Sequence, residues 1–107
     1  MSIAGDLIRG HTDAIILARL LRGDSYGYEI NKTISNISSG RSELKEATLY
    51  TAFKRLEEAG YIVSYWGDEN TGARRRYYHI TSAGRAYYEN LLAEWEYSRN
   101  IIEQLIR

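Results

Sequence analysis

Glu46-Ala47-Thr48-Leu49-Tyr50-Thr51-Ala52-Phe53-Lys54-Arg55-Leu56-Glu57-Glu58-Ala59-Gly60 is the stretch that decides the fold. Leu49, Ala52, Phe53 and Leu56 recur at i, i+3, i+4 and i+7, the spacing of an α-helix with one buried face. The predicted helix runs from Glu46 to Ala59 and stops at Gly60, a residue suited to the left-handed turn that ends helices. At about 100° per residue, the opposite face carries Ala47, Thr51, Lys54 and Glu58, flanked by Thr48, Tyr50 and Arg55. It is small and hydroxylated at its start, then basic. A helix that enters a DNA major groove needs that arrangement, because short residues allow close approach and cations meet the flanking phosphates.

Upstream, two further helices are expected. Asp6 to about Arg22 reads as the first, closed by Gly23. Leu7, Ala14, Leu17, Ala18 and Leu21 form one stripe, and Ile8, Ile15, Ile16 and Leu20 cover much of the remaining circumference. A helix apolar on nearly all sides is buried on more than one, and a second subunit is one source of cover. The next helix, about Tyr26 to Ser38, takes its cap from Asp24 or Ser25 and turns Gly27, Ile30, Ile34 and Ile37 inward. Ser38-Ser39-Gly40 is a turn.

Downstream, Tyr61 to Gly67 is rich in β-branched and aromatic residues and reads as a strand. Asp68-Glu69-Asn70-Thr71-Gly72 is turn chemistry, and Arg74 to Ile80 is the returning strand. Arg74, Arg75 and Arg76 sit beside the loop tip, placed either for a phosphate or minor-groove contact or as a solubilising cluster. Thr81 caps a last helix that runs to the end. At about 1.5 Å per residue it is roughly 40 Å long, more than the ~30 Å globule the preceding residues can form, so part of it overhangs. Tyr88, Leu91, Trp95, Ser98, Ile102 and Leu105 follow the alternating three-and-four spacing of a coiled-coil seam. A two-fold dimer packed through that helix is the economical way to cover it.

The whole chain of 107 residues suits one small unit. The expected architecture is mainly α with a small β-hairpin: a winged helix-turn-helix over residues 1–80 and a C-terminal dimerisation helix over 81–107. There is no cysteine, which excludes disulfides, thiolate metal sites and a cysteine nucleophile. The longest apolar run, Ala14 to Ala18, is too short to span a bilayer, and the start does not read as a signal peptide; a cytoplasmic protein without a membrane partner is expected. Net charge is zero, yet residues 41–85 carry eight basic and six acidic side chains while residues 86–107 carry two and four. The middle of the chain is therefore where an anion is met. Ten tyrosines and two tryptophans against one phenylalanine suit half-buried, half-wet positions.

Three motifs make the chain recognisable: Ser25-Tyr26-Gly27-Tyr28-Glu29-Ile30; Ala47-Thr48-Leu49-Tyr50 with Lys54-Arg55-Leu56-Glu57-Glu58-Ala59-Gly60; and Gly72-Ala73-Arg74-Arg75-Arg76-Tyr77-Tyr78-His79-Ile80-Thr81. In order and spacing they resemble the PadR family of bacterial transcriptional repressors. Thr51 stands where most members carry a proline, as in the small multidrug-sensing members. Ser64-Tyr65-Trp66-Gly67-Asp68-Glu69 and the single C-terminal helix with Trp95 are similar to that subgroup too. The resemblance implies paired recognition helices in successive major grooves of an inverted-repeat operator. The matching DNA-contacting positions are Lys45, Thr48, Tyr50, Thr51, Lys54 and Arg55, with wing contacts from Arg74, Arg75 and Arg76. It also implies a flat central pore where Trp95 and its symmetry mate sandwich planar aromatic compounds. Leu92, Leu7, Gly10, Ala14 and Asp13 would surround that pore; the alternative is that Trp95 simply fills a dimer core. Arg99 departs from the pattern, standing where drug-binding relatives can present an acid.

The expected function is a homodimeric, ligand-responsive repressor that uses no cofactor or metal. The runner-up is a winged-helix module whose basic face binds an acidic protein, without a ligand. An enzyme is not expected, since no phosphate-cradling glycine loop, GxSxG elbow or HExxH occurs and the two histidines, His11 and His79, fall on different predicted elements.

Overall fold

The computed structural model describes residues 3–67 and 74–107. Its elements are α1 (Ile3–Arg9), α2 (Thr12–Leu20), α3 (Gly27–Ile37), α4 (Glu46–Glu58), β1 (Ile62–Trp66), β2 (Arg76–Ile80) and α5 (Ser82–Ile106). The turn read at Asp68 to Gly72 lies outside the described residues. The single predicted first helix is in fact two. Gly10, a weak helix former, and His11 break it, and Thr12 Oγ1 donates to the Arg9 carbonyl at 2.8 Å, satisfying an acceptor that a continuous helix would have used.

The core is built by α2, α3, α4 and the hairpin. Ile16, Leu17, Leu20, Ile30, Leu49, Ala52, Phe53, Leu56, Ile62 and Ile80 are buried, so the stripe that located α4 is its inward face. Phe53 stacks on Tyr78 with centroids 4.0 Å apart, which locks α4 against β2. The end of α4 follows from Gly60. With φ +82°, it lets Tyr61 N–H reach the Leu56 carbonyl and its own N–H reach that of Glu57, the paired bonds of a Schellman stop.

Two expectations for α3 are corrected. Neither Asp24 nor Ser25 caps it: the cap position is Tyr26, without a side-chain bond, while Ser25 pairs its backbone with Tyr78 and donates its hydroxyl to Glu29 at 2.5 Å. Ile37 does not turn inward but is 65% exposed, because it falls at the last residue of the helix, beyond the reach of the core. The link from α3 to α4 is held by Asn31, whose amide donates to the Leu44 carbonyl at 2.6 Å and accepts from the Leu44 N–H at 2.8 Å. That clamp seats buried Leu44 and fixes where α4 begins.

The strands pair antiparallel with Ile62 opposite Ile80 and Trp66 opposite Arg76. Thr81 caps α5, its hydroxyl accepting from Gly84 N–H at 3.0 Å and donating to the Gly60 carbonyl at 2.7 Å. Tyr87, Tyr88 and Leu91 pack against the core, and from Ala93 onward every residue of α5 is exposed. The described residues extend 55 Å along the longest axis against 30 and 21 Å, so the expected overhang is present.

Candidate nucleic-acid interface and adjoining cavity

Burial of its apolar stripe turns the other side of α4 to solvent. Ala47, Thr51, Lys54, Arg55 and Glu58 are exposed, Thr48 is half-buried, and Lys45 occupies the exposed cap position. Tyr50 is only partly available to a ligand. It is 48% exposed, but its ring meets Phe53 edge-on at 5.7 Å and its hydroxyl lies against Gly27 at the start of α3. Arg55 is paired with Asp13 of α2, and Tyr87 of α5 donates to the same carboxylate at 3.0 Å. Burial first, and then that bond, hold the Tyr87 phenol above its ordinary pKa. Arg55 thus leaves α4 already engaged.

The wing arginines differ from one another. Arg76 donates to Ser64 Oγ at 2.8 Å and approaches Glu57 at 3.5 Å, while Ser64 donates to Glu57 at 2.6 Å. This network ties the middle and outer end of the paired strands to the C-terminal turn of α4, so Arg76 helps to fix the wing's position. Arg74 lies 5.3 Å from the Trp66 ring centroid and Arg75 lies 4.8 Å from that of Tyr26. All three guanidiniums remain on exposed residues. A further tie went unnoticed in the sequence: Asp24 accepts from Tyr65 Oη at 2.6 Å and meets His79 Nδ1 at 2.7 Å, bracing both strands against the entry to α3. The Tyr65 bond, aided by His79 and opposed by partial burial, holds the Asp24 carboxyl below the usual carboxylate range.

On the far side of Arg55 lies a cavity of about 370 Å³. Leu7, Gly10, Asp13, Ala14 and Trp95 line it together, which unites five of the six residues inferred for the central pore; Leu92 is not in its lining. His11, Tyr87, Leu91, Glu94, Ser98 and Ile102 also line it, and sequence spacing alone marked Leu91, Ser98 and Ile102 only as seam positions. His11 meets Trp95 edge-on at 5.0 Å, and Trp95 stays 41% exposed. Asp13 and Glu94 bring acids to the wall; Arg99 is not part of it. Among the described residues no group of His, Asp and Glu is placed to hold a metal ion, and no helix is long and apolar enough to cross a membrane.

A buried-faced helix behind a helix-turn-helix clamp, followed by a short hairpin wing, defines a winged helix-turn-helix protein of the transcription-regulator class. The sequence model of the Transcriptional regulator PadR-like family matches residues 16–90, and the chain belongs to that family. A transcriptional regulator from Clostridium thermocellum is similar in structure, with a TM-score of 0.90, 47% identity, and coverage of 99% of this chain and 100% of that one. A PadR family transcription regulator from Clostridium difficile gives a TM-score of 0.78 at 37% identity, covering 91% and 99%. An uncharacterized protein X of Lysinibacillus sphaericus is 48% identical over 101 residues, 94% of this chain and 93% of its own length. The family and its solved relatives are regulators of transcription, not enzymes.

Proposed function

We propose that the chain acts in the cytoplasm as a homodimeric repressor that binds an inverted-repeat operator and responds to planar aromatic compounds. Residues 1–80 form the reading head and residues 81–107 the dimer contact. The observation that carries the DNA reading is α4 itself, with its apolar face buried, its hydroxyl and cation face exposed, and its end tied to the wing through Glu57, Ser64 and Arg76. Lys45, Thr48, Thr51 and Lys54 approach bases and flanking phosphates, with Tyr50 at the margin; Arg74 and Arg75 extend the contact along the backbone or minor groove.

The dimer reading is supported by the apolar seam that α5 leaves uncovered, where Ile102, Leu105 and Ile106 are 53%, 78% and 75% exposed. The effector reading is supported by a cavity whose volume falls within the range of drug-sized pockets. A second copy brings a symmetry-related Trp95 to its open side. Stacking on a flat ligand between two indoles is worth roughly 0.5–1.5 kcal/mol per face. An effector releases DNA only to the extent that it favours the arrangement that binds DNA poorly.

A gel shift with the DNA upstream of its own gene tests the first claim: a band that a scrambled duplex does not compete away supports it, and binding indifferent to sequence overturns it. Fluorescence titration with a planar dye tests the second. Trp95→Ala should abolish the quenching seen in the parent, with Trp66→Phe as the control for the other indole.

A further inference from the structure

The flank of α4 that faces α1 and α2 holds a notch of about 320 Å³, lined by Arg9, Thr12, Ala47, Thr48, Thr51 and Arg55. Two guanidiniums and threonine hydroxyls surround it, and no carboxylate belongs to its lining. That is the donor set for a phosphodiester oxygen: guanidinium forks supply charge and direction, and the Thr48 and Thr51 hydroxyls supply further donors, the Thr12 proton being given to the Arg9 carbonyl. Ala47 and Thr51 belong also to the outward face of α4, so the notch opens where a duplex backbone passes when α4 enters the groove.

Both arginines are already paired with aspartates, Arg9 with Asp6 and Arg55 with Asp13. The Arg9 and Arg55 side chains are 38% and 53% exposed, and ion pairs in contact with water are weak enough to exchange. A phosphate can therefore take the place of Asp6, itself 61% exposed, without uncovering a buried charge; Asp13, only 18% exposed, keeps the bond from Tyr87 when Arg55 turns to phosphate.

We propose that this notch is a backbone-phosphate site of the DNA complex, in which Arg9 is the second cation and Arg55 exchanges Asp13 for phosphate. The proposal rests on the DNA-binding reading and adds to it a contact from α1, outside the helix-turn-helix. It makes Asp13 an internal competitor for DNA. Because Asp13, Arg9 and Arg55 also line the Trp95 cavity, a ligand there meets the same ion pair that the DNA must open.

The test is the salt dependence of affinity for a duplex of about 30 base pairs, measured by fluorescence anisotropy between roughly 50 and 200 mM KCl. Arg9→Gln is expected to weaken binding about 3- to 10-fold at the low-salt end and to reduce the slope of log K against log salt by about 0.9, equally for a promoter-derived and a scrambled duplex. Arg22→Gln, the same charge change on an exposed arginine after α2 that belongs to neither lining, keeps the wild-type slope. Asp13→Asn is expected to tighten binding a few-fold, and that gain disappears in the Asp13→Asn, Arg55→Gln double variant. Circular dichroism confirms that each variant is folded. Wild-type slope and affinity in Arg9→Gln overturn the proposal, as does a gain from Asp13→Asn that survives removal of Arg55. If the wild-type chain itself binds no duplex, it is the DNA-binding reading that fails.

Discussion

Replacing Gly84 by alanine should destabilise the protein, against the intrinsic preference of the helix that contains it. In a helix interior, Gly→Ala is worth up to about 1 kcal/mol in favour of the variant. Here, however, an added Cβ falls 2.1 Å from the Tyr61 carbonyl oxygen, 3.0 Å from its carbon and 2.8 Å from Ile80 Cγ1. The Ile80 atom can rotate aside; the Tyr61 backbone cannot. To restore ordinary contact, α5 must back away from the base of the wing by about 1 Å. That movement pulls on the Thr81 N–H bond to the same carbonyl, 3.0 Å, and on the 2.7 Å bond from Thr81 Oγ1 to Gly60. Overpacking of this kind costs about 1–3 kcal/mol, and two weakened bonds add roughly 1 kcal/mol. After subtracting the propensity gain, the net loss is about 1–3 kcal/mol. For a chain of this size each kcal/mol lowers Tm by roughly 4–8 °C. Thermal melts by circular dichroism, at one fixed protein concentration, should show the drop. Ala86→Gly, on the exposed side of the same helix, should lose about 1 kcal/mol through propensity alone. A Gly84→Ala Tm equal to or above wild type would refute the close approach of α5 to Tyr61.

Three other outcomes are expected. Asn31→Ala removes both bonds to Leu44 and should cost about 1–3 kcal/mol in chemical denaturation; fast hydrogen exchange at the Leu44 amide would locate the damage, and retained protection there would contradict the clamp. Ser39 has φ +55°, so Ser39→Gly should relieve a left-handed strain and raise stability by up to about 1 kcal/mol, read as a higher denaturation midpoint. Tyr65→Phe should raise the Asp24 pKa toward the ordinary carboxylate value, followed by NMR titration. Because the folded carboxyl is held low, its contribution to stability is present above the unfolded pKa and fades as pH falls through the folded one; the variant should therefore lose less stability than wild type on acidification.

What the sequence made legible was what short-range periodicity encodes. The three-and-four recurrence of Leu49, Ala52, Phe53 and Leu56 marks a buried face, and its complement marks the surface that α4 leaves to solvent. The two paired strands were equally plain, because their residues form β-branched and aromatic runs. The overhang of α5 followed from length alone. The break at Gly10 was not legible, since a glycine within an apolar periodic stretch is tolerated by many continuous helices. Contacts between distant residues left no trace. Arg55 and Asp13 lie 42 positions apart, so nothing local indicates that α4 and the Trp95 cavity share an ion pair. Likewise, Arg76 read as one of three equivalent wing cations until Ser64 and Glu57 were seen to hold it.

Two chains joined through α5, as proposed, would set their α4 helices about one helical turn of DNA, roughly 34 Å, apart. Sedimentation velocity with a labelled duplex from upstream of its own gene measures this directly. The expected complex contains two chains on one duplex, formed from a free protein that already sediments as a dimer at micromolar concentration. One chain per duplex, or a free monomer at that concentration, would contradict it.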